Sequence, residues 1–134
     1  MIKTNIEQFE KWLHRQEDID LEFKEAKAKF DSKCDLPDYC AALANEGGGK
    51  LILGVDDTGK VVGTNAFKGT VNKLSHELFT KLRIQVDVEE YSHSDGRVLI
   101  FHVPVRSRGQ LVKSTGELFI PYADGRFTSR DGCA

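Results

Sequence analysis

The stretch CAALANEGGGKLILGVDDTG, residues 40–59, decides how the chain must fold. Its first six residues suit the end of a helix, and Gly47, Gly48 and Gly49 stop that helix. The run KLILGV then reads as a strongly apolar strand. Asp56 and Asp57 before Gly59 are good turn formers, because a short carboxylate can bond to the backbone just ahead of it. A helix passed through a tight glycine turn into a buried strand predicts a sheet with helices packed on it. The three glycines lack the Gly-Lys-Ser/Thr of a P-loop, and they close a helix rather than open one. They therefore read as a tight turn and not as an ATP site.

Upstream, Pro37 suits the first turn of this helix, with Asp35 as a cap. The helix would run to about Asn45 and turn Tyr39, Ala42 and Leu43 to the core. Before it, Leu21 and Phe23 alternate with Glu22 and Lys24, the period of a strand with one apolar and one charged face. Residues 4–15 form an amphipathic helix with Ile6, Phe9, Trp12 and Leu13 on one stripe, and Thr4 with Glu7 fits a capping box. Downstream, KVVGT (60–64) is the expected hairpin partner of KLILGV. Residues 69–83 predict a helix whose buried stripe is Val71, Leu74, Leu78 and Leu82. IQVDVEEY (84–91) alternates, Asp95-Gly96 turns into RVLIFHVPV (97–105), and GELFIPY (116–122) makes a last strand. The expected class is α+β, a mixed and mostly antiparallel sheet with packed helices.

The chain has 134 residues, the size of one domain, with residues 1–16 as an N-terminal helical extension. Its end at Gly-Cys-Ala without a cap reads as a boundary inside a longer protein. No apolar run approaches 18 residues, so no membrane partner is expected. Three cysteines, Cys34, Cys40 and Cys133, without a CxxC read as reduced thiols in a cytoplasmic protein. The four histidines lack metal-ligand spacing. A net charge of −2 argues against a uniformly basic phosphate clamp and leaves room for a basic groove.

DIDLEFKEA, CAALANEGGGKLILGVDDTGKVVG and KSTGELFI together resemble the Schlafen-type AlbA domain. That signature runs acidic-x4-Glu-Phe-Lys, Ala-Phe-Ala-Asn, Gly-Gly, an apolar strand, Gly-Val-Asp-Asp and a Gly turn. Here it falls on Glu17, Glu22-Phe23-Lys24, Ala42-Leu43-Ala44-Asn45, Gly48-Gly49, Gly54-Val55-Asp56-Asp57 and Gly59. The chain departs from the pattern at Glu46-Gly47, where the family often has Thr-Glu. It departs again at Pro121, where the family often has an arginine.

The resemblance implies a nuclease site built from Glu17, Glu22 and Asp57. Such carboxylates repel one another and tolerate proximity when Mg²⁺ or Mn²⁺ sits between them. Lys24, on the strand face of Glu22, could neutralise phosphate charge or hold the attacking water. Glu17 and Glu22 are five residues apart, so they converge only if the chain bends at residues 18–20. Phosphate contacts are expected from Lys24, Lys27 and Lys29, from Arg106, Arg108 and Lys113 in a polar loop, and from Arg126 and Arg130. Few aromatic residues accompany these groups, which makes base stacking a minor element.

The expected function is nucleic-acid binding, with metal-dependent endonucleolytic cleavage of structured RNA such as tRNA as its sharpest form. The alternative is a non-catalytic DNA-binding module of a transcriptional regulator, and a third is a protein-interaction domain. A homodimer would double the basic face. Phe9 and Trp12 of the first helix, or a terminal strand edge, could supply its contact.

Overall fold

The computed structural model describes residues 3–15, 20–32, 34–107, 109 and 111–112. In chain order the elements are α1 (Ile6–Arg15), β1 (Leu21–Lys24), α2 (Asp35–Asn45), β2 (Gly49–Leu53), α3 (Val71–Leu82), β3 (Asp87–His93) and β4 (Gly96–Val103). The four strands form one sheet in the order β1-β2-β4-β3. β1 and β2 are parallel and joined through α2, whereas β2–β4 and β4–β3 are antiparallel. The sheet is mixed and mostly antiparallel, as its strand signals indicate.

Strand composition follows position in the sheet. β2 and β4 are central and covered on both faces, so their sequences are near-continuous apolar runs. Leu51, Leu53, Leu99, Phe101 and Val103 join α2 and α3 in one core. Ile52, Val98 and Ile100 point the other way and meet Leu21 and Phe23 of β1 and Phe9 and Trp12 of α1. The outer strands β1 and β3 alternate, because each has polar positions left at its edge.

Several sequence expectations need correction. Residues 60–64 do not form a strand beside β2. Only an isolated Val55–Val61 bridge remains, and β4 takes the place beside β2. The long apolar β4 buries more on that central position than KVVGT could. Thr4 does not cap α1. It bonds to Glu89, and Asn5 caps instead by accepting from the Gln8 N–H at 2.8 Å. Ile6 is 51% exposed, outside the buried stripe. Asp35 is the first residue of α2 rather than its cap, with Cys34 in the cap position. β3 starts at Asp87, three residues later than IQVDVEEY suggests. Phe9 (0% exposed) and Trp12 (8%) are committed to their own sheet and cannot supply a dimer contact. The expected strand 116–122 lies outside the described residues.

The glycine turn has a steric reason. Gly47 and Gly48 hold φ of +107° and +87°, which side chains disfavour. A Cβ on Gly49 would stand 2.5 Å from the Asp20 carbonyl oxygen, at the place where β1 and β2 begin to pair. The turn sets the start of β2 against β1, and the charged face of β1 is positioned by it.

Candidate functional site

Glu22 and Lys24 share one face of β1. In parallel register they stand beside Leu51 and Leu53, so they lie on the α2 side of the sheet. The Lys24 Nζ is 3.3 Å from a Glu22 carboxylate oxygen and 4.6 Å from the centre of the Tyr39 ring on α2. Partial burial alone would lower the ammonium's pKa. Hydrogen bonding to Tyr39 and the Glu22 charge outweigh it and hold Lys24 above its ordinary value. Lys24 therefore stays charged through the physiological range, in a fixed position between a carboxylate and an aromatic face. Phe30 packs 6.1 Å from Tyr39 and backs that platform.

Tyr39 was expected in the core. It is half-buried because the buried stripe of α2 runs through Leu36, Cys40 and Leu43, one position away. That spacing was the signal in the sequence for an aromatic turned toward β1.

Of the three carboxylates proposed to hold Mg²⁺ or Mn²⁺, Glu17 lies outside the described residues. Asp57 is exposed in the turn after β2. The hydrogen bonds of that turn converge on Asp56, whose Oδ1 accepts from the Thr58 N–H (3.0 Å), the Thr58 hydroxyl (2.6 Å) and the Lys60 N–H (3.0 Å). The Thr58 hydroxyl first, and then the Lys60 N–H, pull the Asp56 carboxyl below its usual range. Turn formation accounts for Asp56 and not for Asp57. Gly59 backs onto the Leu13 carbonyl near the end of α1, where a Cβ would approach to 2.6 Å. Among the described residues no three His, Cys, Asp or Glu side chains are grouped to hold a metal ion. The donor chemistry of Glu22 and Asp57 suits a hard divalent cation, and a three-carboxylate site needs Glu17 as well.

Lys27 and Lys29 are exposed on the loop after β1. That loop is stitched to residues 64–65. The Thr64 hydroxyl donates to the Ala26 carbonyl, and the Asn65 N–H donates to the Lys27 carbonyl at 2.7 Å. Arg106 sits at the C-terminal end of α2, its N–H bonded to the Ala44 carbonyl at 3.0 Å. The next residue, Asn45, pairs with Val112 as a strand would. Its amide donates to the Val112 carbonyl (3.2 Å) and its oxygen accepts the Val112 N–H (2.8 Å). Asn45 thus closes the neck of the 106–112 segment. Sequence reasoning missed this role, although a carboxamide at a helix end beside a glycine turn was visible. Arg108, Lys113, Arg126, Arg130 and Pro121 lie outside the described residues.

Cys40, His93 and His102 are structural. Burial pushes the Cys40 thiol up to about 12, so it stays protonated and inert. His102, 7% exposed, bonds to Glu89 at 2.9 Å, and His93 faces Glu10 at 3.3 Å.

A four-stranded mixed sheet with α2 and α3 on one face and the Glu-Phe-Lys strand at one edge defines a class of α+β domain. The Schlafen, AlbA_2 family matches residues 17–133, and the chain belongs to that family. No curated protein matches the chain. The fold is similar to that of the DIP2311 protein from Corynebacterium diphtheriae, with a TM-score of 0.62 and 24% identity over 89% of this chain. The chain spans only 28% of the length of that protein. It is also similar to the N-terminal domain of a protein from Nitrosomonas europaea described as related to RecG, an ATP-dependent DNA helicase. There the TM-score is 0.54 and identity 22%, over 92% of this chain and 88% of the other. At these identities the likeness concerns the fold. No helix among the described residues is long and apolar enough to cross a membrane.

Proposed function

We propose that the domain binds nucleic acid, with Lys24 as its central phosphate contact and Lys27, Lys29 and Arg106 around it. The observation that carries this reading is the fixed setting of Lys24, between Glu22 and the Tyr39 ring. An ammonium already ordered loses little side-chain entropy when a phosphate arrives. Membership of the Schlafen family and the likeness to a domain of a RecG-related protein support the same ligand class. Arg108, Lys113, Arg126 and Arg130 would extend the contact.

A second reading is metal-dependent cleavage of structured RNA such as tRNA. It is favoured by Asp57, which stays exposed while Asp56 takes the bonds of the turn. Glu17, Glu22 and Asp57 would hold Mg²⁺ or Mn²⁺, which when bound polarises the scissile phosphate and activates water. Lys24 would then screen charge building on the phosphate. The competing form is a DNA-binding module of a transcriptional regulator, without cleavage.

The test is to titrate the chain into labelled tRNA and into duplex DNA, each with Mn²⁺ or with EDTA. Binding should weaken about tenfold in Lys24→Ala, as loss of about 1.4 kcal/mol implies. Cleavage that needs Mn²⁺ and disappears in Asp57→Ala selects the nuclease. Binding of neither ligand would sink the reading altogether. Light scattering of the same samples reports whether the binding unit is a homodimer.

A further inference from the structure

We propose that the outer face of α3 is a second contact surface, one that takes single-stranded nucleic acid by stacking a base on Phe79. The inference rests on the nucleic-acid reading above and adds a site that lies apart from β1.

Three observations carry it. First, the charge of the chain is unevenly spread. Residues 68–83 hold four Lys or Arg against one acidic residue, whereas the other 118 residues hold 15 against 20. Among the three helices α3 is the one with net positive charge, so it attracts phosphate alongside residues 97–116, which hold four Lys or Arg and no acid. Second, the outward side of the helix carries Lys73 and Arg83 without an acid, whereas Lys81 shares the groove side with Glu77. Leu74, Leu78 and Leu82 face the core. Glu77 and Lys81 line the groove toward α2 with Leu36 and Pro37. The outward side carries Asn72, Lys73, His76, Phe79, Thr80 and Arg83, all exposed and none acidic. Third, Phe79 is 44% exposed. It is the one exposed Phe, Tyr or Trp among the described residues, and core packing does not require it.

Spacing gives the face its shape. Asn72, His76, Phe79 and Arg83 fall at i, i+4, i+7 and i+11, a single stripe along the helix. Arg83 closes α3 in the left-handed conformation, with its N–H on the Phe79 carbonyl at 2.8 Å. A ring flanked by His76 one turn before it and Arg83 one turn after it can take the face of an unpaired base. Lys73 and Arg83 then meet the neighbouring phosphates. A paired base offers no free face, so the partner is single-stranded. An acidic protein would also suit this face, and it is the alternative that equal oligo(U) binding by Phe79→Ala would select.

The experiment measures binding of the full chain to a fluorescein-labelled 15-nucleotide oligo(U) and to a 15-base-pair duplex DNA by anisotropy. Phe79→Ala should weaken oligo(U) about tenfold and leave the duplex unchanged. Lys73→Ala with Arg83→Ala should lower the slope of log K against log salt by about 1.4 for oligo(U). Both changes are at exposed positions, and an unaltered melting temperature checks the fold. If the wild-type chain binds oligo(U) and Phe79→Ala binds it equally, the surface assignment is overturned, and a protein contact would give that same result. If the wild-type chain binds neither nucleic acid, the nucleic-acid reading itself has failed and this inference falls with it.

Discussion

The two faces of the sheet are held in different ways. The face under α2 and α3 is sealed by the larger apolar core, from Leu36 and Leu43 across Leu53 and Phe101 to Leu78, with polar ties such as Arg97–Glu90 and Ser75–Val86 at its margin. The face under α1 has a smaller core around Phe9, Trp12 and Ile52, bordered by polar ties. Thr4 bonds to both oxygens of Glu89, through its N–H and its hydroxyl, each at 2.6 Å. His102 meets the same carboxylate, and His93 meets Glu10. Apolar burial does not depend on pH, whereas the bonds to the Glu89 carboxylate do. The α1 side is also the one whose helix precedes the family-matched residues 17–133. The α2 side supports the Lys24 site through Tyr39, whereas the α1 side holds the same strand through Leu21 and Phe23.

Breaking the first face should have the largest effect. Phe101 is fully buried on a central strand. Phe101→Ala should cost about 3–5 kcal/mol, read by urea denaturation. Phe9 is equally buried. Phe9→Ala removes a similar area, yet its effect on the rest of the domain is capped by the free energy that docks α1. Hydrogen exchange should show residues 6–15 losing protection while the β2 and β4 amides keep theirs. Equal loss across the whole sheet would show that the two faces are one cooperative unit.

Next in size is the Glu89 tie. Glu89→Gln should destabilise by about 1–3 kcal/mol, because Thr4 and His102 lose a charged acceptor. Burial alone would raise the Glu89 carboxyl, but the Thr4 bonds and His102 outweigh it and hold it below its ordinary 4.5. A carboxyl depressed in the folded state adds stability above its unfolded value, and that stability is lost as pH falls through the folded value. The fluorescence of Trp12, the chain's single tryptophan, should therefore report α1 loosening below about pH 4.5. Glu89→Gln should flatten that response. An unchanged acid profile in the variant would assign the transition to other carboxyls, Asp56 among them. The smallest change sharpens the α2 side. Asn45→Ala should cost about 1–2 kcal/mol by freeing the Val112 backbone. Exchange should rise at residues 106, 107, 111 and 112 and stay constant in α1.

Much of the fold was legible because hydrophobic period is local. Leu21 and Phe23 against Glu22 and Lys24, and Leu74, Leu78 and Leu82 on one stripe, can be read without knowing what they touch. The Glu-Phe-Lys strand, the glycine turn and Gly-Val-Asp-Asp also marked the family from the chain alone. Which strand stands beside β2 could not be read, because KVVGT and RVLIFHVPV are both competent and only total burial decides between them. The partner of Glu89 was equally hidden. Thr4 is 85 residues away, and a capping box at Thr4 and Glu7 was the nearer local use of the same side chain.

The sequence by itself determined the class of sheet, the family, the residue types that can meet phosphate, and the order of the described elements apart from the strand expected at 60–64. Those follow from side-chain chemistry and short-range spacing. Only the tertiary structure decided that Tyr39 seats Lys24, that Asn45 closes the neck of the Arg106 segment, and that Phe79 stands in solvent. Each of these depends on which face an element turns to its neighbours, and that is settled by the joint packing of strands and helices far apart in the chain.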